Sequence, residues 1–455
     1  MRRPSLIAAL VAGLLLAACG HSGEDAAHTP TPPAHPYRST TDLADWPTYH
    51  HTPDRAGHVA IGPSGKLQVG WSKHLEGAVY GEPLVIGDLL VVATEQNQVY
   101  GLDARTGRVE WQRDLGKPQP LSGLPCGNID PLGVTGTPAY DAGTDRVLVA
   151  AETDGGAHTL WAIDPADGSA AWKRELDTQT ARNRLAEQQR GALLVAGGRV
   201  ITVFGGLAGD CDDYVGYAVS VPSSGRGATT SFAVPTAREA GIWATPGAVS
   251  HPNGTVLVAS GNGAELHGTW DGSDSVIQLD PVTMQQRSVF APSTWREDNE
   301  RDLDLGSSSP VVVGDRVVIA GKRGQVYLLT LPLGGVGSQV DQSGGCTAFG
   351  GAAVAGDVAV MPCLGENQVR ALRVGASSLT WSWTQDHLYG SPVIAGDRVY
   401  VADQATGDLV VLSLASGRRL SRQHAGPLPH FPSEVVSGDW VFVPTLDGIT
   451  AFRGR

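Results

Sequence analysis

The stretch PVVVGDRVVIAG, residues 310–321, decides the fold. An apolar run enters a Gly-Asp pair and a second apolar run leaves it, the pattern of two short strands joined by a tight turn. The pattern returns as PLVIGDLLVVAT (83–94), AAVAGDVAVMPC (352–363), PVIAGDRVYVAD (392–403) and EVVSGDWVFVPT (434–445). One such hairpin cannot cover both faces of its own sheet. From Gly314 the turn glycine recurs at Gly356, Gly396 and Gly438, intervals of 42, 40 and 42 residues. That is the period of a four-stranded propeller blade, and blades stacked radially bury one another's faces.

A second element marks the outer half of a blade: a strand ending in Leu-Asp or Ile-Asp, a turn with glycine, and a strand carrying tryptophan. LDARTGRVEW (102–111) and IDPADGSAAW (163–172) show it, and residues 372–381 show it without the aspartate, ending at Trp381. Aspartate caps such a turn, glycine accepts positive φ, and the indole offers an apolar plate to the neighbouring blade. The expected architecture is all-β, an eight-bladed β-propeller, with blades near 81–116, 133–177, 190–235, 241–292, 305–344, 349–385, 388–426 and 430–455. The eighth lacks an outer strand, and LQVGWSKHLEG (67–77) reads as an outer strand without inner ones. Pairing the two joins the N- and C-terminal strands and leaves no long free edge. Blade four is the least regular and carries the longest insertion, which draws attention to it as a place for function.

The chain opens MRRPSLIAALVAGLLLAACG, two arginines before a short apolar run. This reads as an export signal rather than a membrane span. Leu16-Ala17-Ala18-Cys19 resembles a bacterial lipobox, which implies cleavage before Cys19, lipidation of its thiol and an anchor in the cell membrane on the extracytoplasmic face. The expected organisation is a signal peptide over 1–18, a Pro-rich tether over 19–45 and a propeller over 46–455. His21, His28 and His35 lie on the tether, where nothing makes them converge on a metal.

Loss of the signal removes two arginines and leaves 31 basic against 46 acidic residues. That balance argues against a nucleic-acid binder, which needs a basic footprint, and disfavours a basic membrane-surface patch. Arginine outnumbers lysine 28 to 5 amid abundant alanine and glycine, as expected for a GC-rich bacterial source. With Cys19 lipidated, Cys126, Cys211, Cys346 and Cys363 remain, an even number in an exported chain. Three pairings exist, and Cys346–Cys363 across one predicted hairpin with Cys126–Cys211 between blades is the favoured one. No Gly-x-Ser-x-Gly elbow, His-Glu-x-x-His or phosphate loop is present.

The stretch WPTYHHTPDRAGHVAIGPSGKLQVGW (46–71), followed by blades ending in D-x-x-x-G-x-x-x-W, resembles the pyrroloquinoline-quinone (PQQ) repeat family. That family includes quinoprotein dehydrogenases and non-catalytic propeller lipoproteins of the outer-membrane assembly type. In the dehydrogenases the quinone lies between a tryptophan and two adjacent cysteines, with calcium held by Glu, Asn and the quinone, and an Asp as base. GIWATPGAVSHPNGTVLVASGN (241–262) resembles their Trp-to-Asn segment, which implies Trp243 beneath the quinone and Asn262 on calcium. WREDNERDLDLGSSSPVVV (295–313) resembles the segment with the base, implying Asp304, with Asp302 as alternative. Lys322 in GKRGQVYLL falls where the family has a basic residue against the quinone.

Two departures stand out. Cys126 is followed by Gly127 rather than a second cysteine, and the calcium glutamate is replaced by GLAGDCDDYVGY (206–217), which offers Asp210, Asp212 or Asp213. The leading expectation is therefore an anchored binding or scaffold propeller for a protein or small-molecule ligand. A PQQ- and calcium-dependent dehydrogenase of an alcohol or sugar is the alternative.

Overall fold

The computed structural model describes residues 43–177 and 182–455; the signal peptide, Cys19 and nearly all of the tether fall outside them. Eight sheets, each built on antiparallel strands, follow one another around an axis. In blade one the strands Leu84–Ile86, Leu89–Ala93, Gln98–Asp103 and Val109–Asp114 run from the axis outward. The main strands of the next six sheets span 139–175, 194–233, 249–291, 311–344, 353–386 and 392–424, inside the expected limits except that the sixth blade ends one residue later, at Asp386. In the eighth, Val435–Ser437, Trp440–Thr445 and Gly448–Gly454 are joined by Leu67–His74 as outer strand, in the register Leu67↔Gly454 to His74↔Gly448. The two ends of the chain thus hold each other, as the sequence pattern requires.

Inner strands such as Leu89–Ala93 are buried along their whole length, because each has a blade on either face. The outer strands alternate, as in Leu379–Asp386.

The tryptophans join blade to blade by one repeated contact. Trp71, Trp111 and Trp383 donate their indole N–H to the carbonyls of Ala104, Pro165 and Leu414 at 3.1, 2.9 and 2.7 Å. Each indole lies against the turn glycine three residues further on, Gly107, Gly168 or Gly417, whose φ is near +70°. Trp172 lies on Gly225 in the same way.

In blade six the residue that reaches the next blade is Trp383, and Trp381 instead donates to Gly344 O of blade five. A bulge in the pairing, Ala371↔Trp383 beside Leu372↔Trp381, turns the two side chains to opposite faces. The expectation built on Trp381 is corrected by two residues for that reason.

Segment 44–59 lies across the inner strands on the side of the Gly-Asp turns. Trp46 pairs with Val85, Pro47 O accepts from Tyr140 N, and Pro53 O accepts from Ser250 N. Arg55 donates to Leu193 O and Ala248 O, Ala56 O accepts from Val354 N, and His58–Val59 pairs in parallel with Ile394 and Ala395. Burial lowers the His50 pKa to about 3, so a neutral imidazole bridges Ala352 O and Ser433 Oγ at 3.1 Å each. This segment satisfies inner-strand edges that would otherwise face an open axis. It lies at one end of the axis; an axial cavity lies at the other.

Both disulfides form as favoured, Cys126–Cys211 between loops of different blades and Cys346–Cys363 across residues of blades five and six.

Candidate functional site

Loops that enter blades two to six and eight, together with the turns between second and third strands of blades three and five, surround an axial cavity of about 330 Å³. Its wall includes Arg190, Trp243, Asp304, Lys322, Phe349 and Phe431. Trp243 precedes blade four, Asp304 follows the helix Trp295–Arg301, and Lys322 begins the turn after strand Arg316–Ala320. These three, expected from sequence, meet at one place. The Lys322 ammonium lies 5.8 Å from the Trp243 ring centroid, 2.6 Å from Asp304 Oδ2 and 2.7 Å from Asp302 Oδ1.

Asp304 is buried with both oxygens engaged, Oδ1 accepting from Asn262 N at 2.7 Å. A Cβ at Gly261 would collide with that oxygen, so glycine is what lets the carboxylate rest on the backbone. With its amide nitrogen turned inward, Asn262 also donates to Asp304 Oδ1 and, at 3.3 Å, to Asp302 Oδ1. Burial pushes the Asp304 carboxyl up, against the pull of Lys322. Burial works against the Lys322 ammonium as well, but Asp304 and Asp302 outweigh it and hold its pKa above the ordinary lysine value.

Of the three acids near 210, only Asp210 reaches the cavity, and its Oδ1 accepts the hydroxyl hydrogen of Tyr214. Asp212 accepts from Asn183 at 2.6 Å and Asp213 from Arg182 at 2.9 Å, both on the exposed side. The Cys126–Cys211 bond, with Cα atoms 6.2 Å apart, ties this loop to the segment that connects blades one and two.

Three aromatic rings form part of the wall. Phe349 and Phe431 stack at 5.8 Å and 5°, and each lies 6.4 Å from Trp243 at a tilt. Arg190 places its guanidinium carbon 5.0 Å from the Phe431 ring centroid. Phe349, Phe431 and Arg190 were not among the sequence candidates. They lie in the loops that open blades six, eight and three, positions equivalent to that of Trp243.

The residues fit a calcium ion poorly. A hard divalent cation takes six to eight oxygens. Here an ammonium lies against Asp304 and Asp302, and Asp210 is engaged by Tyr214. Among the described residues no group of three or more His, Cys, Asp or Glu converges as a cage.

An axial aromatic cavity at one end of eight W-docked blades defines a PQQ-like propeller. The family model described as outer membrane protein assembly factor BamB matches residues 54–208 and 288–448, more than half of the chain, and the chain belongs to this PQQ-like family. Among solved structures, a quinohemoprotein alcohol dehydrogenase from Pseudomonas putida is similar at 15% identity and TM-score 0.70, over 90% of this chain and 80% of that one. The quinohemoprotein alcohol dehydrogenase of Comamonas testosteroni gives 17% and 0.69 over 90% and 81%. BamB of Moraxella catarrhalis gives 17% and 0.59 over 86% and 98%. At these identities the likeness is one of fold. No curated protein sequence matches the chain.

Proposed function

We propose that this protein is a lipid-anchored, extracytoplasmic propeller that binds a small ligand in its axial cavity without a metal ion. The reading is carried by the state of Asp304: one oxygen accepts a backbone N–H and the other pairs with Lys322. A carboxylate so engaged is a poor general base, since a base must be free to take a proton from substrate. Lys322 supplies the positive charge that balances the acids. The anchor rests on the Leu16–Cys19 motif of the sequence. The family takes its description from an outer membrane protein assembly factor; a protein partner docking on the exposed loops is compatible with an occupied cavity.

The dehydrogenase reading keeps one observation in its favour, the gathering of Asp210, Trp243, Asp304 and Lys322 on one cavity with Asn262 bonded to Asp304. Titration of purified protein with PQQ, with and without Ca²⁺, followed by a dye-linked oxidation assay on alcohols and sugars, separates the two. The expected result is no turnover and no calcium dependence of binding. Calcium-dependent binding with turnover abolished by Asp304→Ala would overturn the metal-free reading.

A further inference from the structure

The excess of acid over base in the whole chain conceals one sector where the balance reverses. At the Gly-Asp end of blades seven and eight, Lys66, Arg398, Arg418, Arg419, Arg453 and Arg455 stand against Asp45, Asp397 and Asp439. The rest of the chain beyond Cys19 has 25 basic against 43 acidic residues. Backbone hydrogen bonds fix the place: Leu414 N donates to Asp397 O, Gly454 N to Asp439 O, and Lys66 and Arg455 each donate to the other's carbonyl. Each acid has a local partner. Asp45 accepts from Gly87 N, Asp439 from Ser64 N, and Asp397 lies 3.9 Å from Arg398. On the flanking blades at this end, Asp88 and Asp357 are paired with Arg105 and Arg373. Lys66, Arg418, Arg419 and Arg455 are exposed, and among the described residues none has an acid within ion-pair distance.

Segment 60–65 crosses this sector from the turn of blade seven to that of blade eight. Gly396 N donates to Val59 O, Arg398 to Pro63 O and Gly65 O at 3.2 Å each, and Ser64 N to Asp439 Oδ1 at 3.1 Å. The segment is fixed at both ends, yet it carries Ile61 at 78% exposure, the most exposed large apolar side chain among the described residues. Val69, next at 53%, lies three residues past Lys66. An apolar tip held among unpaired cations suits a bilayer interface, where the cations meet phosphate and the apolar group enters between headgroups. The anchor-bearing part of the chain joins here too: Ala44 N donates to Ser437 Oγ at 2.9 Å, so residues 20–42 link Cys19 to this same end.

We propose that the Gly-Asp end of blades seven and eight rests on the anchoring membrane, Lys66, Arg418, Arg419 and Arg455 against anionic phospholipid headgroups and Ile61 inserted among them. The proposal rests on the lipid-anchored reading above and adds an orientation to it. A lipid anchor holds a chain to the bilayer without choosing a face; the basic sector chooses one. The axial cavity, at the opposite end, then faces away from the membrane.

The test uses the protein as purified from cells, placed on vesicles of phosphatidylcholine alone or with about one third phosphatidylglycerol, and read by hydrogen–deuterium exchange. With phosphatidylglycerol, amides of 60–66 and 415–419 are expected to exchange about fivefold more slowly, and loops 208–214 and 430–432 at the cavity end to be unchanged. The protection should vanish near 1 M salt, where screening acts beyond about 3 Å. It should vanish as well in the triple variant Lys66→Gln, Arg418→Gln, Arg419→Gln, which stays on the vesicle by its anchor. Unchanged protection at 60–62 in Ile61→Ser would remove the insertion of that side chain. Equal exchange on the two vesicles, or protection of the cavity-end loops instead, would overturn the proposal and leave the anchor standing. Protection on native membranes but not on phosphatidylglycerol vesicles would assign the face to a membrane protein and overturn it too. Failure to remain with phosphatidylcholine vesicles would overturn the anchored reading, while the phosphatidylglycerol arm still decides the face. The wild-type comparison between vesicles stands even where the triple variant does not fold.

Discussion

Truncating Trp111 tests the contact that makes eight sheets one cooperative ring. Trp111 is buried, donates to Pro165 O at 2.9 Å, and lies on Gly168 of the next blade. Trp111→Ala is expected to cost about 3–5 kcal/mol, the range for a buried aromatic cut to alanine. Gly168→Ala should cost about 1–2 kcal/mol for an L-residue held at φ +70°, plus about 1–3 kcal/mol for a Cβ that would lie 2.5 Å from Trp111 Cε3. In the double mutant the clash is gone and only the backbone cost remains. The two changes should therefore be less than additive by about 1–3 kcal/mol in a double-mutant cycle. Gly314→Ala is the internal control: its φ is +61° but no heavy atom lies within 4 Å of the added Cβ, so it should show the backbone cost alone. The assay is equilibrium urea denaturation of the four proteins of the cycle and the Gly314→Ala control. Additivity within about 0.5 kcal/mol would refute the claim that indole and glycine are in obligatory contact.

Burial raises the Glu95 pKa to about 8, well above the value of about 4.3 in an unfolded chain. The folded state then holds the extra proton between those values, so this group's stabilisation is complete below about pH 4.3 and is lost as pH rises toward 8. Urea midpoints should fall across that window in the wild type and fall less steeply in Glu95→Gln; an unchanged slope would contradict the assignment. Cys19→Ser should move the protein from the membrane to the soluble fraction on cell fractionation, and an unchanged membrane fraction would remove the anchor.

Much of the fold is legible in one dimension because every blade obeys the same local rules. Gly314, Gly356, Gly396 and Gly438 mark turns that need positive φ, and their spacing gives the period of a blade. The outer strand 67–74 was recognisable as an orphan and found its partner at the opposite end of the chain, since a closed ring is the one arrangement that leaves no edge. Trp243, Asp304 and Lys322 could be picked out by resemblance, being carried on two consecutive blades. Tertiary structure alone decided the rest. The bulge that makes Trp383 rather than Trp381 the interblade residue is a backbone event with no residue signature. Arg190, Phe349 and Phe431 come from blades three, six and eight and meet only because the ring brings its entry loops to one axis. Which cation balances Asp304 depends on side-chain reach across that axis, a distance of a few ångströms between residues that no sequence spacing relates.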